Sequence, residues 1–371
     1  MPKSMKSKTK ILYFVDILEY GGIQNFILNV LKNIKDTDIE ILTLDDGNNY
    51  PLEKEIEELG IKVYKLNNIW IKDLFSYLKY KKAINNFFKE HNDYKMIHLH
   101  STSKNYYILE VAKKYNIDIR IVHSHTTDFS TSNKLKKILG TIWKKKLLKY
   151  ATDYFACSKE AGEWMFEKNR FLIIPNGIDS DKFIFNDKYR KEIRKEYNLE
   201  NKFIIGNVAR ITHQKNPLLL IDIINELKEK NKDVFLIIIG SGELENKLQR
   251  KIEKYNLEKD ILILKNRNDV YKFYSAFDCF ILTSPKEAFC IAAIEAQING
   301  LKCITLEDVL PPEVKISHNV EEVNNIDNFT KEILNSTRNN DNIDIKRFDI
   351  KEVVKYLEKY YQSRWLHEGF N

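Results

Sequence analysis

Short apolar runs alternate along this chain with longer segments whose apolar positions recur every three or four residues. In the first half the runs read as buried strands at 11–17, 39–44, 62–66, 96–100, 119–124, 154–158 and 171–175. Between them lie helical stretches such as 23–33, where Ile23, Phe26, Ile27, Val30 and Leu31 mark one face, together with 52–59 and 74–90. A charged helix at 188–197 opens a second series, with strands at 203–209, 234–240, 261–265, 279–283 and 302–305 and a weaker one at 314–317. Alternating β and α segments predict parallel sheets with helices on both faces. The fold class is therefore α/β, with two doubly wound units and a linker near Asn186. The expected divisions are 1–185, 186–345 and a terminal segment, 346–371. The last contains an amphipathic helix with Val353, Val354, Leu357, Tyr360 and Tyr361 on one face.

Length supports two domains, since 371 residues exceed what one core usually organises. A hydrophobic content of 43%, with only 12 Gly and 7 Pro, excludes fibrous and disordered classes. Cys157, Cys279, Cys290 and Cys303 form no C-x2-C pair and read as thiols rather than a disulfide or zinc framework. No apolar run reaches the length of a membrane span, and the first one contains Asp16 and lacks a cleavage site, so the chain is expected in the cytoplasm. A net charge of +7 is too small to indicate nucleic acid, and no basic stripe interleaved with aromatics accompanies it.

One segment concentrates the charge. Residues 133–150, NKLKKILGTIWKKKLLKY, place Leu135, Ile138, Leu139, Ile142, Trp143 and Leu147 at helical spacing among seven lysines. Such a helix can lie on an anionic membrane surface, at the inner face of the cell membrane. Alternatively, its stripe packs on the domain core and the lysines are simply solvated.

Candidate chemistry gathers at strand ends, where open α/β sheets bind ligands. Gly21-Gly22 follows the first strand. It either lets backbone approach a ligand or serves a tight turn, and no G-x-G-x-x-G accompanies it. His123-Ser124-His125 ends another strand, as hydrogen-bonding groups for a sugar or as structural histidines. A metal pair is disfavoured there, because side chains alternate faces along a strand. Pro175-Asn176-Gly177-Ile178-Asp179 forms a turn. In the second half Arg210 and Lys215 stand five residues apart after a strand, suiting a diphosphate, or are plain surface cations. Gly240-Ser241-Gly242-Glu243 makes a loop where backbone can approach a ligand. Glu287 and Glu295, with seven residues between them, bracket a helix start. The N–H groups around Phe289, Cys290, Ile291 and Ala292 offer an anion site there, and each ionised carboxylate accepts hydroxyl hydrogen bonds. No D-x-D pattern stands out, since Asp45-Asp46 lies in a first-half turn, so no metal is expected.

Taken in order, these elements resemble the retaining glycosyltransferases of family GT4, which have the GT-B fold of two Rossmann-like domains facing a central cleft. ACSKEAGEWMF and PNGID are similar to members from bacterial capsule and exopolysaccharide clusters. The chain departs from the family at Ala288-Phe289-Cys290, where Gly and, two positions later, Pro are usual. The resemblance implies a nucleotide-sugar donor, UDP-linked, as substrate with no cofactor, and a glycan or lipid-linked saccharide acceptor. It implies binding of the donor mainly by the second domain and of the acceptor mainly by the first. It also implies a terminal helix that crosses back onto the first domain. His125, with His123 second, corresponds to the donor-sugar histidine. Arg210 and Lys215 correspond to the diphosphate cations, Glu287 to the group orienting the transferred sugar, and Glu295 to the ribose ligand. Asn266 and Arg267, in LKNRNDV, correspond to the loop that reads the base. A non-catalytic partner subunit or a UDP-sugar epimerase would share this architecture.

Overall fold

The computed structural model describes residues 9–66, 74–129, 131, 133–230, 232–265, 267–339, 343 and 345–366. In chain order the first elements are β1 (Thr9–Val15), α1 (Gly22–Asn33), β2 (Thr37–Leu44), α2 (Pro51–Glu58), β3 (Val63–Leu66) and α3 (Leu74–Glu90). There follow β4 (Met96–His100), α4 (Tyr106–Lys114), β5 (Ile119–Ser124), α5 (Lys134–Tyr150), β6 (Asp153–Ala156), α6 (Lys159–Phe166) and β7 (Leu172–Ile173). The later series is α7 (Asp187–Glu196), β8 (Phe203–Val208), α8 (Leu218–Glu229), β9 (Val234–Ile239), α9 (Glu245–Lys254), β10 (Ile261–Leu264) and α10 (Val270–Ala276). It ends with β11 (Cys279–Leu282), α11 (Ile291–Ile298), β12 (Lys302–Leu306), β13 (Val320–Val323), α12 (Ile326–Leu334) and α13 (Ile350–Trp365).

Two units divide the chain, one of residues 1–178 with 347–371 and the other of residues 179–346. In the first, seven strands pair in the order β3-β2-β1-β4-β5-β6-β7, and every pairing is parallel. In the second, six parallel strands run β10-β9-β8-β11-β12-β13. Both orders reverse direction beside a central strand, between β1 and β4 and between β8 and β11. That reversal leaves a crevice at the strands' C-terminal ends, where such sheets take ligands.

The first core joins β1, β2 and α1 to Ile350, Val353, Val354, Leu357, Tyr360 and Tyr361 of α13. Each fully buried aliphatic side chain in that face contributes about 2 kcal/mol. Asp349 caps α13 by accepting from the Lys351 N–H at 2.7 Å, and Tyr361 shares a 2.6 Å hydroxyl hydrogen bond with Tyr13 of β1. The second core is built on β8, β9, β11 and α8, with Ile205, Leu236, Ile238 and Ile281 among its members. Asn186 caps α7 through the N–H groups of Lys188 and Tyr189.

Two expectations need correction. No strand forms at 314–317. Pro311 and Pro312 lead into a short 3-10 turn instead, and the N–H groups of Ile316 and Ser317 donate to the Gln297 side chain. The strand at that edge of the sheet is β13, whose sequence Val-Glu-Glu-Val lacks an apolar run. The second correction concerns α5, where Leu135, Ile138, Leu139 and Ile142 are exposed, so these four do not pack on the core. The buried side of α5 is Gly140, Lys144 and Leu147.

Candidate functional site

In the second unit the site grows from the ends of β8 and β11. After β8 the chain passes exposed Arg210, whose guanidinium has no hydrogen-bond or ion-pair partner among the described residues. It then makes a 3-10 turn, His213–Lys215, closed by Asn216 in the left-handed region. Thr283, just past β11, donates its hydroxyl to the Lys215 carbonyl at 3.0 Å and pins this turn to the neighbouring strand end. The Lys215 ammonium then meets both carboxylate oxygens of Glu287, at 2.6 and 2.7 Å. Glu287 is buried, with its side chain only 6% exposed against 19% for Lys215. Two of the three ammonium protons face Glu287, and the third remains for another acceptor.

Helix α11 begins immediately after this pair. Its N-cap, Cys290, is left-handed, with φ +67°. That conformation costs a non-glycine residue about 1–2 kcal/mol. Here it turns the chain so that α11 starts beside Glu287 with no side chain capping its first N–H groups. Phe289 is buried beneath the turn, while Ile291 and Ala292 are partly exposed. Burial holds the Cys290 thiol far above its ordinary range, so it is protonated. Glu295 lies on the next turn, where its carboxylate accepts a 2.6 Å hydrogen bond from the Tyr274 hydroxyl of α10. Burial pushes the Glu295 carboxyl up to about 7, with the Tyr274 bond opposing. Gly300 follows the helix at φ +78°, in the left-handed region that ends many helices.

Other second-unit candidates have partners within the chain. Gly242 is required by the protein's own backbone, since a Cβ there would stand 2.5 Å from the Ile211 carbonyl oxygen. Arg267 is engaged by Asp269 through two bonds of 2.7 and 2.6 Å. Asn266 lies outside the described residues.

In the first unit, Gly21 is the extended N-cap of α1 and Gly22 its first residue. Neither has a positive φ, and a Cβ on Gly22 would meet nothing within 4 Å. A tight turn is therefore not what requires glycine at position 22. His125 is partly exposed. Its Nδ1 lies 3.1 Å from the Asn176 side-chain oxygen and its Nε2 3.2 Å from His100 Nδ1. Burial drives its imidazole down to about 3, so it is neutral at pH 7. His123 is fully buried.

Sequence reasoning missed the group these histidines join. His98 and His100 on β4 lie beside His123 on β5, and the rings of His123 and His125 stack 4.1 Å apart. Residues two apart share a face, so alternation brings His123 and His125 together rather than apart. His98, His100 and His123 bring ring nitrogens within 4.8 Å of one another, a spacing that a cation would require. However, the His98 and His123 rings are nearly parallel, at 9°, and 5.4 Å apart. Their in-plane lone pairs run side by side, so one ion would require the rings to turn. His98 Nδ1 is held by the Tyr361 hydroxyl at 2.7 Å, which links the stack to α13. Asp16, at the end of β1, was also passed over as a site residue. It accepts from Ser101 at 2.6 Å and from Asn105, and pairs with Lys104 at 3.2 Å.

Comparison with known proteins places this geometry in a class. Residues 20–182 match the model of Glycosyltransferase Family 4, and residues 189–351 match that of Glycosyl transferases group 1. The chain belongs to the GT4-type glycosyltransferases and has the GT-B fold. It is 25% identical over 311 residues to EpsF of Bacillus subtilis, spanning 82% of this chain and 80% of EpsF. It is 28% identical over 319 residues to the UDP-Gal:alpha-D-GlcNAc-diphosphoundecaprenol alpha-1,3-galactosyltransferase of Escherichia coli, spanning 81% and 80%. In fold it matches Anabaena HepE, solved in complex with UDP and glucose, at a TM-score of 0.81 and 17% identity over 96% of this chain and 100% of that one.

Proposed function

We propose that this glycosyltransferase moves a hexose or N-acetylhexosamine from a UDP-sugar to a glycan or lipid-linked saccharide in cell-surface polysaccharide synthesis, with retained anomeric configuration and no metal. The observation that carries this reading is the pairing of Lys215 with Glu287 at the uncapped start of α11, followed one turn on by the Tyr274–Glu295 pair. A diphosphate fits beside it, taking the third Lys215 proton, the α11 N–H groups and the free Arg210 guanidinium. These cations and dipoles offset the charge that develops as the nucleotide leaves, which is the work a metal does elsewhere. The ribose hydroxyls donate to Glu295, and a sugar hydroxyl donates to Glu287. In the first unit, neutral His125, oriented by Asn176, is a hydrogen-bonding group that suits a sugar hydroxyl.

In the transfer, the bond from the anomeric carbon to the diphosphate oxygen breaks and a bond to the acceptor oxygen forms on the same face. The acceptor's proton passes to the departing diphosphate. The Escherichia coli relative is named for a UDP-Gal donor and a diphosphoundecaprenol-linked acceptor, and Anabaena HepE was solved with UDP and glucose. Both support this choice of donor class, and the Escherichia coli relative supports the acceptor class.

The test is transfer from a panel of UDP-sugars to a polyprenyl-diphosphate saccharide in EDTA, with product anomeric couplings read by NMR. We expect an α-linked product from an α-linked donor, and a loss of at least 100-fold in kcat for Lys215→Ala. An inverted product, or an undiminished Lys215→Ala, would overturn the proposal.

A further inference from the structure

We propose that α5, with the first turn of α3, is a docking surface for an anionic lipid bilayer. The biological sense of this rests on the lipid-linked acceptor above, whereas the surface stands on its own observations. Leu135, Ile138, Leu139 and Ile142 are 72%, 58%, 46% and 47% exposed. They occupy consecutive turns of a single helix face, which four large aliphatic side chains rarely do toward water on a soluble domain. Lys134, Lys136, Lys137 and Lys145 flank that face. All four are exposed, and none pairs with an acid among the described residues.

The segment 133–150 contains seven lysines and no Asp or Glu. Those seven equal the net charge of +7 for the whole chain, so the remaining residues are neutral overall. The buried side of α5 shows that the helix is anchored without the exposed stripe. Lys144 is buried and pairs with Glu167 at 3.0 Å, Ser103 donates to the Gly140 carbonyl at 3.3 Å, and Leu147 is fully enclosed.

A second helix adds to the patch. Lys146 of α5 donates to the Tyr106 hydroxyl at 3.2 Å, and the same hydroxyl lies 2.9 Å from that of Tyr77 on α3. One tyrosine thus ties the end of the α5 face to the start of α3. There Phe75 and Leu78 are 67% and 56% exposed.

Charge complementarity selects the occupant. A protein partner would have to present a wholly acidic rim around an apolar centre. An anionic bilayer supplies both at once, headgroup charge at the level of the lysines and acyl boundary at the level of the aliphatic side chains. Among the described residues no helix is long and apolar enough to cross a membrane, so attachment would be to the surface.

The test is co-sedimentation of the full chain with vesicles of phosphatidylcholine alone or with 30% phosphatidylglycerol. We expect binding to the anionic vesicles only, weakened about fivefold for each of Lys134, Lys136, Lys137 and Lys145 changed to Gln and further weakened by 0.5 M salt. Leu135→Ser with Ile138→Ser and Ile142→Ser should lose binding with only a small fall in melting temperature, since these side chains are 72%, 58% and 47% exposed. Equal binding to both vesicle types, binding that survives both variants, or capture by a soluble protein in place of lipid would overturn the proposal. UDP binding by the same variants keeps the outcomes separate. It should be intact whatever the vesicles show, and its absence would count against the donor reading rather than the surface.

Discussion

Replacing Glu295 with Gln should change stability in a manner that depends on pH in one direction. The folded protein holds this carboxyl at about 7, against 4.5 for the free group. Below 4.5 both states are protonated and the shift has no effect. As pH rises from there, the unfolded chain releases its proton while the folded one retains it, so stability declines until both are ionised above 7. The full shift corresponds to about 3 kcal/mol at 1.36 kcal/mol per unit. Residual solvent at the partly exposed side chain trims this to about 1–3 kcal/mol. Gln removes the titration and still accepts the Tyr274 hydrogen bond. Thermal melts of both proteins from pH 4 to pH 8.5 should nearly coincide at the acid end, diverge as pH rises from 4.5 to 7, and stay separated above neutrality. The variant should melt higher there by about 2–12 °C, at 2–4 °C per kcal/mol for a domain of this size. A difference that is constant across pH, or a variant less stable at pH 8.5, would refute the reasoning. The same carboxyl also couples to ligand. If ribose hydroxyls donate to its ionised form, UDP should bind more tightly as pH rises toward 7 and release a proton on binding below it, whereas Glu295→Gln should bind weakly at every pH.

The histidine stack predicts the opposite slope. His98, His100, His123 and His125 are all held below their ordinary range by burial, so they fold neutral and gain protons only on unfolding. Their contribution is complete above 6.5 and is lost as pH falls, by about 1 kcal/mol per histidine one unit below that value. The urea midpoint should therefore drop between pH 7.5 and 5.5, and a flat profile would contradict the neutral stack.

Much of this fold was legible because its strands are short apolar runs ended by Gly, Pro, Asn or Ser. Helix α3 and strands β4 and β5 fall where periodicity puts them. Strand β13 did not, because an edge strand carrying two glutamates has no apolar run. At the site, sequence pointed to Lys215 with Arg210 and to Glu287 with Glu295, as two separate pairs. It could not show that Lys215 and Glu287, 72 positions apart, form one ion pair. Nor could it show that Tyr274 holds Glu295, since nothing local in Phe-Tyr-Ser-Ala marks that tyrosine. His98 and His100 did carry a signal: His-Leu-His in one strand and His-Ser-His in the next parallel strand point to one face. The gap was knowing that those strands are neighbours. For α5 the spacing was plain, but which side faces the core depended on Lys144 being buried, against its type.

The most direct test of the account is calorimetric titration of UDP into the wild-type protein and into Lys215→Ala, both in EDTA. The account predicts binding to the wild type without any cation, and at least a tenfold loss when the Lys215 ammonium is removed. No binding to the wild type, binding only after Mg²⁺ is supplied, or equal affinity in Lys215→Ala would contradict it.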